Sequence, residues 1–104
     1  MKREFKGVKK TVTRIYLASP TLDKVKERGY TLSHLIRILL EELLEAPQVT
    51  IKPKLEGDKV VCITLPERIL EMAKRVARSK KLTLSQLIEA LVEKWLEVTD
   101  ALYG

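Results

Sequence analysis

The sequence predicts a mostly α protein built on a two-stranded antiparallel β-ribbon, in which two strand-helix-helix repeats form an intrachain pseudo-dimer. Three observations predict it. Residues 31–36 read Thr-Leu-Ser-His-Leu-Ile and residues 83–88 read Thr-Leu-Ser-Gln-Leu-Ile, each opening an apolar run at helical spacing. Each is preceded by a basic helical stretch and, before that, by a short segment in which apolar and polar side chains alternate. Each repeat alone is too small to bury its own apolar face, so the two halves must complete one another. A lone strand leaves unpaired backbone groups on both edges; pairing 11–17 antiparallel with 59–65 satisfies them and lets four helices cover one face.

Residues 1–10 form a basic N-terminal arm, with Lys2, Arg3, Lys6, Lys9 and Lys10 against Glu4. The first repeat spans 11–45. Thr13, Ile15 and Leu17 face one side of its strand, and Val12, Arg14 and Tyr16 face the other. Ser19-Pro20 offers a helix cap with proline in the first turn; Leu22 and Val25 give that short helix its apolar side, and Gly29 ends it. Thr31 is the next cap, and Leu32, Leu35, Ile36, Leu39, Leu40, Leu43 and Leu44 form a broad stripe closed by Pro47.

Residues 46–58 read as a linker, with Pro47, Pro53 and Gly57, and alternation at Val49 and Ile51 leaves room for an extra strand. The second repeat spans 59–98. Val61, Ile63 and Leu65 face one way, Val60, Cys62 and Thr64 the other, and Pro66 starts the helix. Ile69, Met72, Ala73 and Val76 mark that helix's buried face. Thr83 and Gln86 make a capping box for the last helix, whose stripe is Leu84, Leu87, Ile88, Leu91, Val92, Trp95 and Leu96. The first repeat is four residues shorter between strand and second cap, about one α-turn, so the deletion falls in its middle helix and preserves facing. Residues 99–104 are left as a tail.

The formal net charge is +6, unevenly placed. Lys74, Arg75, Arg78, Lys80 and Lys81 follow one another with no acid between them, whereas Glu89, Glu93, Glu97 and Asp100 make the C-terminal end acidic. Such basic runs are the solvated faces of a soluble protein or the footprint of a polyanion. One cysteine, Cys62, excludes an intrachain disulfide, and one histidine leaves too few soft ligands for structural zinc. No cofactor is expected. The apolar runs are broken every few residues by charge, which excludes a membrane span, and no apolar segment follows the charged N-terminus as in a secretion signal. An intracellular, cytoplasmic location is expected, or the host cytoplasm for a viral protein. The absence of asparagine leans toward a heat-adapted source.

Leu65-Pro66, the amphipathic stretch from Glu67 to Arg78, and Leu82-Thr-Leu-Ser-Gln-Leu-Ile88 resemble the ribbon-helix-helix DNA-binding proteins of the MetJ/Arc superfamily. The first repeat resembles them with Ala18-Ser19-Pro20 in place of Leu-Pro-Glu. Two such patterns in tandem look like the single-chain regulators of archaea and their viruses. The resemblance implies a ribbon lying in the major groove of double-stranded DNA, with Lys10, Val12, Arg14, Tyr16, Val60, Cys62 and Thr64 against base edges. Arg14 is the foremost reader, since a guanidinium bonds guanine O6 and N7 together. Thr64 bonds a base or a phosphate, while Val60 and Cys62, where the family has polar side chains, offer contact to thymine methyls. The resemblance also implies phosphates anchored at the helix starts Thr31 to Ser33 and Thr83 to Ser85, with Lys80 and Lys81 beside the second, and the arm residues Lys2, Arg3, Lys6 and Lys9 following the backbone.

Each assignment has a plainer alternative. Tyr16 is equally a cross-strand packing partner, Cys62 a small half-buried hydrophobe, and His34 a surface position; Met72 and Trp95 are core or interface residues. Thr31, Ser33, Thr83 and Ser85 cap helices in any protein. No Gly-rich phosphate loop and no nucleophile with a base are present, so no enzyme is expected. The function expected is a sequence-specific transcriptional regulator, repressor or activator, with copies packing side by side on DNA through helix ends or Trp95 to Tyr103. The alternatives are a non-specific architectural protein coating DNA, and an antitoxin-like module gripping a partner protein.

Overall fold

A computed structural model describes residues 10–51 and 57–103. Alternation of side chains in the two β-branched segments gives β1 (Lys10–Leu17) and β2 (Lys59–Pro66), and the helices are α1 (Ser19–Glu27), α2 (Leu32–Glu45), α3 (Glu67–Ser79) and α4 (Leu84–Tyr103). The strands form a two-stranded antiparallel sheet in which Arg14 stands opposite Cys62, Val12 opposite Thr64, and Tyr16 opposite Val60. Arg14 and Cys62 each lie three residues before the leucine that ends the inward face, Leu17 or Leu65. The pairing is therefore centred on equivalent positions of the two repeats.

Ile15, Leu17, Ile63 and Leu65 point inward and are buried against Leu35, Ile36, Leu39 and Leu40 of α2 and Leu87, Ile88 and Val92 of α4. Burying side chains of this size contributes about 1.5–3 kcal/mol each, which a bare hairpin lacks. α1 packs on α4, the long helix of the other repeat, while α3 packs on both α2 and α4. The nine residues of α1 against thirteen in α3 bear out the expected one-turn deletion.

Both short helices end in the same way. After α1 the Gly29 N–H donates to Lys26 O and the Tyr30 N–H to Val25 O, and after α3 the Lys81 N–H donates to Arg78 O and the Leu82 N–H to Ala77 O. This double bond pattern needs a left-handed residue at its centre, supplied by Gly29 at φ 78° and by Lys81 at φ 61°. A side chain there costs about 1 kcal/mol. Lys81→Gly is therefore expected to raise stability by about 0.5 kcal/mol in urea denaturation; a lowered midpoint would mean that the lysine side chain stabilises the fold by more than its backbone strains it.

Several expectations are corrected. Ala18, not Ser19, is the N-cap of α1, and Thr31 occupies the N-cap of α2 without a side-chain capping bond. The buried face of α3 is Leu70, Ala73 and Ala77, with Ile69 and Val76 flanking it and Met72 exposed. The sequence pattern weighted the larger side chains, whereas two alanines one turn apart make the contact surface. Residues assigned to a tail continue α4 through Tyr103, and Thr99 and Asp100 there are tied to Arg28, the C-cap of α1. Val49 to Ile51 form no strand, and Lys10, assigned to the arm, begins β1. No helix among the described residues is long and apolar enough to cross a membrane.

Candidate functional site

The polar side of the ribbon is its most distinctive surface. Lys10, Val12, Arg14, Tyr16, Val60, Cys62 and Thr64 are all exposed, and the period of two puts them on one face, opposite the buried leucines and isoleucines. The structure thus brings together all seven positions that the sequence singled out on the strands. Val12 is 64 % and Val60 53 % exposed, so apolar side chains stand uncovered on either side of the central Arg14–Cys62 pair. Cys62 is a free, exposed thiol rather than a half-buried hydrophobe. Tyr16 is 43 % exposed and stands directly opposite Val60, the placement of a cross-strand pair.

A two-stranded ribbon leaves every second N–H on its outer edges without a partner strand. Two helix starts answer this. The Tyr16 N–H donates to Ser85 Oγ at 3.0 Å, and the Thr64 N–H donates to Ser33 Oγ at 3.1 Å. Ser33 and Ser85 are equivalent residues of the repeated motif, as are Tyr16 and Thr64 on the strands, and each bond crosses from one repeat to the other. The bonds hold the N-termini of α2 and α4 against opposite edges of the ribbon, with their dipoles' positive ends beside its exposed face. Each serine oxygen accepts from a strand N–H and keeps its O–H to donate. Ser85 is buried, whereas Ser33 is half-buried and, with the backbone amides and the exposed Thr31 and Thr83, stays within reach of a ligand at these helix starts.

At α4 the capping box forms as expected: the Gln86 N–H donates to Thr83 Oγ1 at 3.1 Å and the Thr83 N–H to Gln86 Oε1 at 2.8 Å. His34, at the matching place in α2, is exposed. Lys81 is exposed just before Thr83, but Lys80 is half-buried and donates from Nζ to the Val49 carbonyl at 2.7 Å, tying the linker to α3. Lys2, Arg3, Lys6 and Lys9 lie outside the described residues.

No family model, curated protein or solved structure matches this chain. Its chemistry therefore rests on its own residues. Among the described residues no group of three or more His, Cys, Asp or Glu side chains is placed to hold a metal ion.

The sequence reading missed the groups that fix the end of β1. α1 has no acid in its first turn and no side-chain cap of its own. Glu89 of α4 supplies one instead: Oε1 accepts from the Ala18 N–H at 3.0 Å and Oε2 from the Thr21 hydroxyl at 2.7 Å, with the carboxylate only 1 % exposed. Burial pushes the Glu89 pKa above the ordinary carboxylate value, helped by a hydrogen bond with Glu93 and opposed by the bonds from Ala18 and Thr21. Asp58, at the end of the linker, accepts from the Ser19 N–H at 3.3 Å. A signal for Glu89 was present, since it is the one polar residue between Leu87 and Val92. At the other end of α1, Arg28 donates to Thr99 Oγ1 at 2.7 Å and pairs with Asp100, while its guanidinium lies 5.8 Å from the Trp95 ring. Tyr30 meets the same ring edge-on at 4.9 Å.

Proposed function

We propose that this chain is a sequence-specific double-stranded DNA-binding regulator of the ribbon-helix-helix type, acting as repressor or activator. Its two repeats form a pseudo-dimer within one chain, and the exposed face of the ribbon enters the major groove. The observation that carries this reading is the single face bearing Lys10, Val12, Arg14, Tyr16, Val60, Cys62 and Thr64, flanked on both edges by helix N-termini. A two-stranded ribbon fits the major groove, where each base pair presents a distinct pattern. Arg14 reads guanine, Thr64 bonds a base or a backbone oxygen, and Val12, Val60 and Cys62 meet thymine methyl groups. The amides at the starts of α2 and α4, with Lys81, hold phosphates on either side of the groove. The two halves of the face differ, Arg14 and Tyr16 against Cys62 and Thr64, so the site read by one chain is asymmetric.

The test is selection of bound fragments from random duplex DNA, followed by footprinting of wild type and Arg14→Ala at two salt concentrations. Wild type is expected to protect a discrete motif, and Arg14→Ala to lose about 1–3 kcal/mol of discrimination at one guanine while keeping its salt slope. Protection without a motif, indifferent to Arg14 and lost uniformly with salt, would instead make the protein a DNA-coating one. No binding to any duplex would overturn the reading and leave the protein-binding alternative.

A further inference from the structure

The outward face of the ribbon is unlike in its two halves at every position but one. Its pairing is centred on Arg14 and Cys62, so the pseudo-two-fold that relates the repeats passes between these residues. Across that axis Arg14 is answered by Cys62 and Tyr16 by Thr64. Val12 alone is answered by its own kind, Val60, each lying five residues before the leucine that ends the inward face of its strand. Val12 stands opposite Thr64 and Val60 opposite Tyr16, so the two valines lie on different strands and on opposite sides of the central pair. Both are more exposed than Tyr16.

We propose that Val12 and Val60 form a symmetric pair of methyl readers, each seating the 5-methyl group of a thymine, one on each DNA strand, to either side of the guanine met by Arg14. The inference rests on the DNA reading above and adds a rule for the site: two-fold related at its flanks, unlike at its centre. Two features select duplex DNA as the cover for these valines. The seven outward side chains include two cations, Lys10 and Arg14, and no acid. Ser33 and Ser85 hold the starts of α2 and α4 at opposite edges of the ribbon, equally placed about the same central pair, so positive helix ends are set for the two phosphate backbones that border a groove. A duplex has a local two-fold of its own, and aligning it with that of the ribbon brings the two valines to equivalent places on the two strands. Val60 lies level with Tyr16, four residues along from Val12, which is about 14 Å at about 3.4 Å per residue and places the thymines a few base pairs apart. The chemistry selects the base. In the major groove only thymine presents a methyl group, whereas cytosine presents an amino donor that a valine would strip of water without offering an acceptor.

The test uses duplexes selected from random DNA by the full wild-type chain, remade with uracil, which lacks the methyl group, at each thymine in turn and titrated at fixed salt. The selected motif is expected to hold two thymines, one on each strand, placed symmetrically about a centre that is not symmetric. Uracil at either is expected to weaken binding about fourfold, and at both about tenfold or more. Val12→Ser should abolish the uracil effect at one of the two thymines and Val60→Ser at the other, with the salt dependence of wild type kept in both variants. A motif without the two thymines, tight binding indifferent to uracil, or a uracil effect that both valine variants leave intact would each overturn this inference and leave the DNA reading standing. No binding to any duplex would overturn that reading and this inference with it.

Discussion

Glu89→Ala is expected to cost about 3 kcal/mol of folding stability, because it strands the buried Thr21 hydroxyl and the half-buried Ala18 N–H, and removes a side chain packed beneath α1. Urea denaturation with the variant beside wild type measures it. Glu89→Gln keeps the shape and an acceptor for Ala18, and is expected to stay within about 1 kcal/mol of wild type at neutral pH. The two differ more clearly in their response to pH. Burial raises the Glu89 pKa in the folded chain, so between the ordinary carboxylate value and the raised one the native state holds a proton that the unfolded chain has released. Wild-type stability should therefore fall as pH rises through that window and level off above it. Glu89→Gln should lack this slope, and a slope of equal size in the variant would assign it to another group.

Gly57→Val is expected to destabilise the fold by about 3 kcal/mol or more. The reason is room. A Cβ on Gly57 would fall on the main chain of Leu17 and Ala18, which cannot swing aside as the end of a side chain could. Any accommodation moves the end of β1 or the last residues of the linker, and with them the Asp58 bond to Ser19 and the Glu89 bond to Ala18. Thermal and urea midpoints read the effect; a loss below about 1 kcal/mol would mean that residues 57–58 reseat without disturbing β1. A double variant with Glu89→Ala should cost less than the two losses added together, since both act on one corner.

The fold was legible in the sequence where a pattern repeated. The period of two in 11–17 and 59–65 set the faces of the ribbon, and Ile15, Leu17, Ile63 and Leu65 are buried as that period requires. The Thr83 and Gln86 capping box needed only a spacing of three. What could not be read were partners distant along the chain. Ser19 looks like a cap until Asp58 and Glu89 are seen to serve α1 from outside it. Leu70 and Ala77 outrank Met72 because a helix face is chosen by what it lies against, not by the size of its own side chains. Ser33 and Ser85 read as helix caps or ligand contacts, and nothing in the sequence signals that their hydroxyl oxygens also accept from the strand edges, which depends on a register that neither repeat contains by itself. The second repeat needed less help, since Pro66 has no N–H to satisfy and Glu67 supplies an acid in the first turn of α3.

The crossed serine bonds also decide how the molecule behaves on dilution. Each long helix grips the strand of the other repeat, so the ribbon is assembled from two halves that share one covalent chain. Halves on separate chains would part as their concentration fell. Here the residues between α2 and β2 hold them at a local concentration on the order of millimolar, whatever the amount of protein present. The same tether removes any demand that the strands match, so one edge can keep Arg14 while its counterpart becomes Cys62, and mutation can alter either side of the ribbon alone.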